Sequence, residues 1–102
     1  MTEYAAQRNP DRRPTHPGAV LAQVLDAAKK SKTEISARLC ISRQHLHDIL
    51  EQRKPVSVVM AARLGELFGN SGELWIRMQV TRDLWDAKRD PELKKVRPLE
   101  RV

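Results

Sequence analysis

Residues 31–50 read SKTEISARLCISRQHLHDIL and hold two short amphipathic runs, each preceded by a serine. Ser31 and Glu34 match the S-x-x-E capping box that begins a helix, and Ser42 is a residue type preferred just before a helix. The two residues between the runs, CI, are too few to separate two independent helices, and they interrupt the pattern of a single continuous helix. The stretch therefore predicts two helices of about two turns each, joined by a tight turn.

The second of these helices has one apolar and one polar face. Leu46, Ile49 and Leu50 recur at helical spacing and predict the buried stripe. Helical geometry then turns the intervening polar side chains outward. Two short helices at a sharp angle, the second polar on its outer face, are typical of a helix-turn-helix, whose second helix enters the major groove of DNA.

The polar face carries side chains that suit the edges of DNA bases. Arg43 can donate two hydrogen bonds to guanine, and Gln44 can pair in the same bidentate way with adenine. His47 can donate to a base or to a phosphate, while Asp48 can either accept from cytosine or orient a neighbouring side chain. We therefore predict that these four residues contact bases.

A second group of residues is placed to contact the phosphate backbone. Helix N-termini attract anions through their free N–H groups, and basic side chains in the loop after the second helix can reach flanking phosphates. The predicted backbone contacts are Ser31, Lys32, Ser42, Arg53 and Lys54.

The flanking sequence predicts three further helices and two flexible arms. One helix begins at HPG (16–18), one follows Ser57 and stops at Gly69, and one follows a weaker capping box formed by Asn70 and Glu73. Residues 1–15 and 88–102 contain prolines and mixed charge without periodicity, and the second arm is expected to be extended. The prediction is an all-α, five-helix domain over residues 16–87, between an N-terminal arm and a basic C-terminal tail.

The positive charge of the chain is concentrated in two places. The 102 residues carry a net charge of +6, with seven basic against three acidic side chains in residues 29–54 and six against three in residues 88–102. A local basic patch is typical of nucleic-acid binding, and a solvated, solubilising surface is an equally good interpretation of charge alone.

Other kinds of chemistry find little support in the sequence. Cys40 is the only cysteine, which excludes an intrachain disulfide and a cysteine-rich zinc site, and we expect it to be a small buried thiol. His45 and His47 point to different sides of a helix and cannot share a metal. No phosphate-binding glycine loop, catalytic carboxylate pair or nucleophile motif occurs. We expect no enzymatic activity, metal or cofactor.

The expected location is the cytoplasm. The sequence has no apolar run long enough to span a membrane and no signal-peptide core. The single cysteine also suits a reducing compartment.

The last predicted helix is apolar on nearly all sides, although a surface helix needs only one apolar stripe. The excess predicts contact with a second copy of the chain, and tryptophans suit such an interface. Trp75 alone has a second interpretation, closure of the monomer core. The predicted dimer residues are Trp75, Val80, Leu84 and Trp85.

HPG at 16–18 and the segments 31–57 and 60–87 together resemble the HigA family of antitoxins, within the lambda-repressor-like, Xre-type helix-turn-helix class. The resemblance implies a five-helix domain that dimerises and binds an inverted-repeat operator in its own promoter. It also implies a partner toxin, an mRNA endonuclease of the RelE-like fold. The chain departs from the family at Ala19, where glutamate is common, at Lys32, where glutamine is usual, at Cys40, where glycine is usual, and around Gln52 and Arg53, where glycine is common.

The resulting functional hypothesis is an antitoxin that neutralises such a toxin and represses its own operon as a dimer. Two alternatives stay open. One is a stand-alone Xre-type repressor without a toxin, and the other is a protein-interaction module that does not bind DNA.

Overall fold

The computed structural model describes residues 11–100, which contain no strand. The order of the helices confirms the all-α prediction with five α-helices, and a short 3-10 helix follows them. The elements are α1 (Pro17–Ala28), α2 (Lys32–Leu39), α3 (Arg43–Leu50), α4 (Val58–Phe68), α5 (Glu73–Ala87) and the 3-10 helix η1 (Pro91–Lys95).

Serine hydroxyls begin three of the helices. Ser31, Ser42 and Ser57 each accept a hydrogen bond from the backbone N–H three residues later, at 3.0, 3.0 and 3.1 Å. Each bond satisfies one of the N–H groups that a helix start leaves without a partner. The predicted caps of α2, α3 and α4 are therefore confirmed.

The start of α5 differs from the prediction of a capping box at Asn70. Gly72 is the N-cap, with a φ of 81° and no side-chain cap, and the Asn70 side chain instead accepts from the Gly72 N–H at 2.9 Å. A Cβ at Gly72 would lie 2.2 Å from the carbonyl oxygen of Ala61. The backbone of α4 comes so close to Gly72, a residue with left-handed φ, that only glycine fits there. This packing decides where α5 begins.

The core draws side chains from all five α-helices. Leu46, Ile49 and Leu64 are completely buried, and the predicted inner stripe of α3 is confirmed. Trp75 is 3% exposed and stacks on Phe68 with ring centroids 5.7 Å apart. Helix α1 packs on α3 and α5, and α4 packs on α2 and α5. These contacts hold α2 and α3 from behind and leave their outer faces open.

Close packing of backbone on backbone joins α1 to the end of α3. A Cβ built on Gly18 would lie 1.9 Å from the carbonyl oxygen of Ile49 and 2.9 Å from its carbonyl carbon. Only a residue without a side chain permits this approach. The glycine of the HPG motif therefore sets the distance between α1 and α3.

His16 joins the same two regions by hydrogen bonds. Its side chain is 5% exposed, and its Nδ1 accepts from the Gly18 N–H at 2.8 Å, which caps α1. A further hydrogen bond links the ring to the backbone of Lys54, in the loop after α3. Burial lowers the pKa of His16, with Arg82 and Arg13 acting in the same direction and Asp83 and the Lys54 bond opposing it.

Two residues of the predicted N-terminal arm contact α5. Arg13 donates to both carboxylate oxygens of Asp86 at 2.9 and 2.7 Å, and Arg82 donates to the Pro14 carbonyl at 2.8 Å. The Arg13 guanidinium lowers the pKa of Asp86. The rest of the predicted arm, residues 1–10, lies outside the described residues.

The predicted tail is also more structured than expected, because residues 91–95 form η1 instead of an extended segment. The Asp90 carboxylate accepts from the Glu92 N–H at 3.0 Å, and Pro91 stands at the first helical position, where its lack of an N–H costs nothing. Residues 101 and 102 of the tail lie outside the described residues. None of the helices in residues 11–100 is long and apolar enough to cross a membrane.

We predict that Gly18→Ala destabilises the fold by about 3 kcal/mol or more, although alanine favours helix, because the added methyl meets backbone that cannot move aside. Urea unfolding followed by circular dichroism measures the change. Gly69→Ala is the matched control, since its Cβ would meet nothing within 4 Å and only its φ of 73° opposes the change. Equal losses in the two variants would contradict the close-packing argument.

We predict that stability falls as the pH drops below about 6.5, the ordinary histidine pKa. The folded state holds the pKa of His16 below that value, so the unfolded chain binds the proton first. The stabilising effect of the neutral His16 ring is fully present above the pKa that His16 has in the unfolded chain. It is lost as the pH falls toward the pKa of His16 in the folded protein. Urea midpoints at pH 7.5 and 5.5 test this. His16→Asn, which keeps a capping acceptor but does not titrate, should show a smaller pH dependence than wild type.

Candidate nucleic-acid interface

The turn between α2 and α3 is built around a left-handed residue. Cys40 has a φ of 60°, and its N–H donates to the carbonyls of Ser36 and Ala37. Glycine would adopt this conformation without strain, whereas a residue with a side chain costs roughly 1–2 kcal/mol. The thiol is exposed, which corrects the prediction that it is buried.

An arginine from α4 supports this turn from the other side. Arg63 donates through one nitrogen, Nη1, to the carbonyls of Leu39 and Cys40 at 3.1 and 3.0 Å. These are carbonyls that the end of α2 would otherwise leave without a partner. The sequence analysis missed this residue, because nothing in the local pattern around Arg63 indicates a contact 23 residues away.

The first turn of α3 presents the predicted base-contacting side chains. Arg43 and Gln44 are exposed, and Gln44 donates from Nε2 to the carboxylate of Asp48 at 2.9 Å. The Asp48 side chain is only 16% exposed and lies 3.9 Å from Arg53 Nε and 3.8 Å from Lys54 Nζ. Two roles were predicted for Asp48, and this geometry favours the one in which Asp48 orients a neighbouring side chain.

His47 is already surrounded by cations in the free protein. Its Nδ1 lies 3.0 Å from Lys32 Nζ, and its Nε2 lies 3.0 Å from Nη2 of Arg53. We call Lys32, His47 and Arg53 the cationic cluster. It joins the start of α2, the middle of α3 and the following loop, and it occupies the nitrogens with which His47 was predicted to reach a base.

The loop after α3 is fixed to the end of that helix. The backbone N–H groups of Arg53 and Lys54 both donate to the carbonyl of Asp48, at 2.8 and 3.2 Å. Gln52 takes a φ of 64°, in the left-handed region, within this loop. Together with the bond from His16, these contacts hold both basic residues of the loop beside α3.

The polar ends of α2 and α3 lie on the same open side of the fold. Ser31 and Ser42 are exposed, and Lys32 is half-buried. The Glu34 carboxylate, predicted to complete a capping box, pairs with Lys30 at 3.7 Å and Arg38 at 3.0 Å. The structure therefore brings the predicted backbone-contacting residues together with the base-contacting ones around α3.

The predicted dimer residues of α5 divide into two groups. Val80 and Leu84 lie one turn apart and are 54% and 52% exposed, and the half-buried Trp85 ring is covered by Arg89, whose Cζ is 3.4 Å from the ring centre. Trp75 is buried in the monomer core, which confirms the second interpretation given for it and removes it from the proposed dimer contact.

Two exposed valines stand at the start of α4 and were missed in the sequence. Val58 and Val59 are 72% and 64% exposed. The Val56 N–H, just before them, donates to the buried side chain of Gln79 in α5 at 2.8 Å, so the start of α4 lies beside the middle of α5. Their exposure was not evident from sequence, because valine is usually a core residue.

Residues 11–100 offer no group of three or more histidine, cysteine or acidic side chains that would hold a metal ion. The polar groups gathered at α3 are hydrogen-bond donors and cations, together with the mostly buried carboxylate of Asp48. Such a surface can bind anions and hydrogen-bond base edges.

No protein-family model matches this sequence. Among curated proteins, virulence-associated protein A' of Dichelobacter nodosus is 33% identical over 72 residues, which is 70% of this chain and 63% of that protein. The chain thus matches less than two thirds of that relative's length. An uncharacterised helix-turn-helix-type transcriptional regulator of Escherichia coli, YbaQ, is 26% identical over 78 residues, which is 76% of this chain and 69% of that protein.

Solved structures match over nearly their whole length. A Nostoc punctiforme protein assigned as an antidote of a plasmid maintenance system is 32% identical, with a TM-score of 0.73 and 86% of this chain and 99% of that one covered. An addiction module antidote of a HigA family from Coxiella burnetii is 29% identical, with a TM-score of 0.76 and coverage of 86% and 100%. The Pseudomonas aeruginosa antitoxin HigA, solved with the higBA promoter, is 27% identical, with a TM-score of 0.76 and coverage of 88% and 99%.

Proposed function

The chain belongs to the HigA family of helix-turn-helix antitoxins, and we propose that it represses transcription by inserting α3 into the major groove of its operator. The observation that carries the proposal is the open face of α3, where exposed Arg43 and Gln44 stand beside the cationic cluster. The relative solved with promoter DNA supports DNA binding by this fold.

Base reading is assigned to the first turn of α3. Arg43 is expected to donate to guanine, and Gln44 to pair with adenine. The bond from Gln44 Nε2 to Asp48 uses one amide hydrogen, which leaves the other hydrogen and the amide oxygen for the base. Asp48 thus holds the amide in a fixed orientation and reduces the entropy lost on binding.

Phosphate binding is assigned to the residues around this helix. The N-termini of α2 and α3, with Ser31 and Ser42, favour anions through their N–H groups and dipoles. Lys32, Arg53 and Lys54 add positive charge, and binding should therefore weaken with salt.

A dimer would present two copies of α3 to an inverted repeat. The exposed apolar surface of Val80 and Leu84, together with Trp85, is the proposed contact between copies. In such a dimer the two α3 helices lie about 34 Å apart, one turn of DNA. We add Val58 and Val59 to the proposed interface, because they are exposed and the start of α4 lies beside the middle of α5.

Neutralisation of a RelE-like toxin is the second half of the proposed function and is supported by membership of the family. A reading frame for a short basic ribonuclease next to this gene would favour it. A stand-alone repressor is the second candidate, because the relative YbaQ is named as a transcriptional regulator. The absence of such a reading frame would favour that candidate.

We predict that Arg43→Ala and Gln44→Ala each weaken binding to the DNA upstream of the gene by about 1–3 kcal/mol and relax sequence preference at one position. Lys32→Ala should weaken binding to specific and scrambled duplexes alike and flatten the salt slope by about one unit. Fluorescence anisotropy at two salt concentrations measures both effects. Arg77→Ala, on the exposed side of α5, is the control. Unchanged affinity in the two α3 variants would exclude base reading by α3.

We predict that Leu84→Glu shifts the protein from dimer to monomer, because a charge would replace an apolar side chain at the proposed contact. Sedimentation velocity measures the oligomeric state, and DNA affinity should fall in parallel. Leu99→Glu is the matched control, since Leu99 is 78% exposed in the tail. A variant at Leu84 that remains dimeric would move the interface away from α5.

A further inference from the structure

Only one of the two close contacts to the His47 ring in the cationic cluster can be a hydrogen bond when the ring is neutral. Lys32 Nζ and Arg53 Nη2 each stand 3.0 Å from a different ring nitrogen of His47. Both cations can only donate, and a neutral imidazole has only one nitrogen that accepts. One of the two contacts therefore sets an N–H group against a cation, and that cation lacks an acceptor on the ring.

The charges next to the ring are mostly positive. Lys32 approaches from α2 and Arg53 from the loop, with Lys54 beside it. On α3 itself, Asp48 is the adjacent carboxylate, and it already accepts from Gln44 and lies 3.8 Å from Lys54 Nζ. The other charged side chains one turn to either side of His47 are Arg43, which begins α3, and Glu51, which directly follows it.

We propose that Lys32, His47 and Arg53 form a single binding site for a DNA phosphate, and that His47 takes up a proton when the phosphate enters. This inference rests on the proposed function. It replaces the predicted base contact of His47 with a role in which the residue positions two cations and supplies a third positive charge. The ligand class is a phosphodiester, and the contact is independent of base sequence.

Proton uptake follows from the exchange of partners. The phosphate oxygens accept hydrogen bonds from Lys32 and Arg53, which move away from the ring nitrogens. The ring then has space for an N–H on both nitrogens, and the neighbouring negative charge favours its protonated form. The proton comes from the solvent, so DNA affinity should rise as the pH falls, with uptake of up to one proton per bound chain.

The test is the pH dependence of DNA binding in wild type, His47→Gln and His45→Gln. Fluorescence anisotropy is recorded at pH 6, 7 and 8 and constant ionic strength, on a duplex from upstream of the gene and on a scrambled duplex. A nearby opposite charge commonly shifts a titration by about one pH unit, so wild type should bind roughly fivefold more tightly per chain at pH 6 than at pH 8. Because the contact is to phosphate, both duplexes should show the effect.

The variants separate His47 from other titrating groups. His47→Gln keeps a hydrogen-bonding side chain but does not titrate, and its affinity should be nearly constant across this pH range. His45→Gln removes the other histidine of α3 and should retain the wild-type pH dependence. Circular dichroism at each pH confirms that every variant remains folded under the conditions of the measurement.

A spectroscopic measurement on the whole protein gives an independent readout. At any one pH, nitrogen NMR of the His47 ring should show a larger fraction with both nitrogens protonated in the proposed complex than in the free protein. A ring that stays neutral in the complex would overturn the proposal.

Three results of the binding experiment would also overturn the proposed phosphate site. They differ in whether the proposed repressor function survives. A pH dependence that persists in His47→Gln would assign the proton to another group. A larger loss of affinity for the upstream duplex than for the scrambled duplex in that variant would restore His47 as a base contact. Both results leave the proposed repressor function intact. Failure of wild type to bind either duplex at any pH would overturn the repressor function together with the phosphate site.

Discussion

The close approach of Gly18 to the carbonyl of Ile49 is the constraint on which the interface depends. It fixes the start of α1 against the end of α3 at backbone distance. His16 reinforces the same junction by capping α1 and bonding to the backbone of Lys54. The orientation of α3 and the path of the basic loop after it are therefore set by residues that do not themselves face the proposed DNA.

The polar face of α3 is organised before any ligand arrives. Asp48 binds the Gln44 amide and the backbone of the loop, while His47 lies between Lys32 and Arg53. Exposed ion pairs and hydrogen bonds of this kind add little to stability, typically about 0–1 kcal/mol each. Their effect here is on orientation, because side chains already held near their binding geometry lose less entropy when a partner binds.

Family membership and the site geometry support different parts of the proposed function. The relatives connect the fold to antitoxins and, in the Pseudomonas aeruginosa protein, to promoter DNA. The contacts around α3 explain how this chain would read bases and hold phosphates with its own residues. Its differences from the family fall largely in that region, at Lys32, Cys40 and the loop near Gln52, and the backbone accommodates the last two with positive φ angles.

The sequence by itself determined the five helices and the starts of α2, α3 and α4, because helical periodicity and serine caps act within a few residues. It also indicated the polar face of α3. Only the tertiary structure decided the start of α5, the support of the turn by Arg63, the burial of Trp75, the exposure of Cys40 and the partners of His47. Each of these depends on contacts between segments distant in the chain, such as Gly72 against Ala61 or Lys32 against His47. Local patterns carry no information about which distant residue packs against a given side chain.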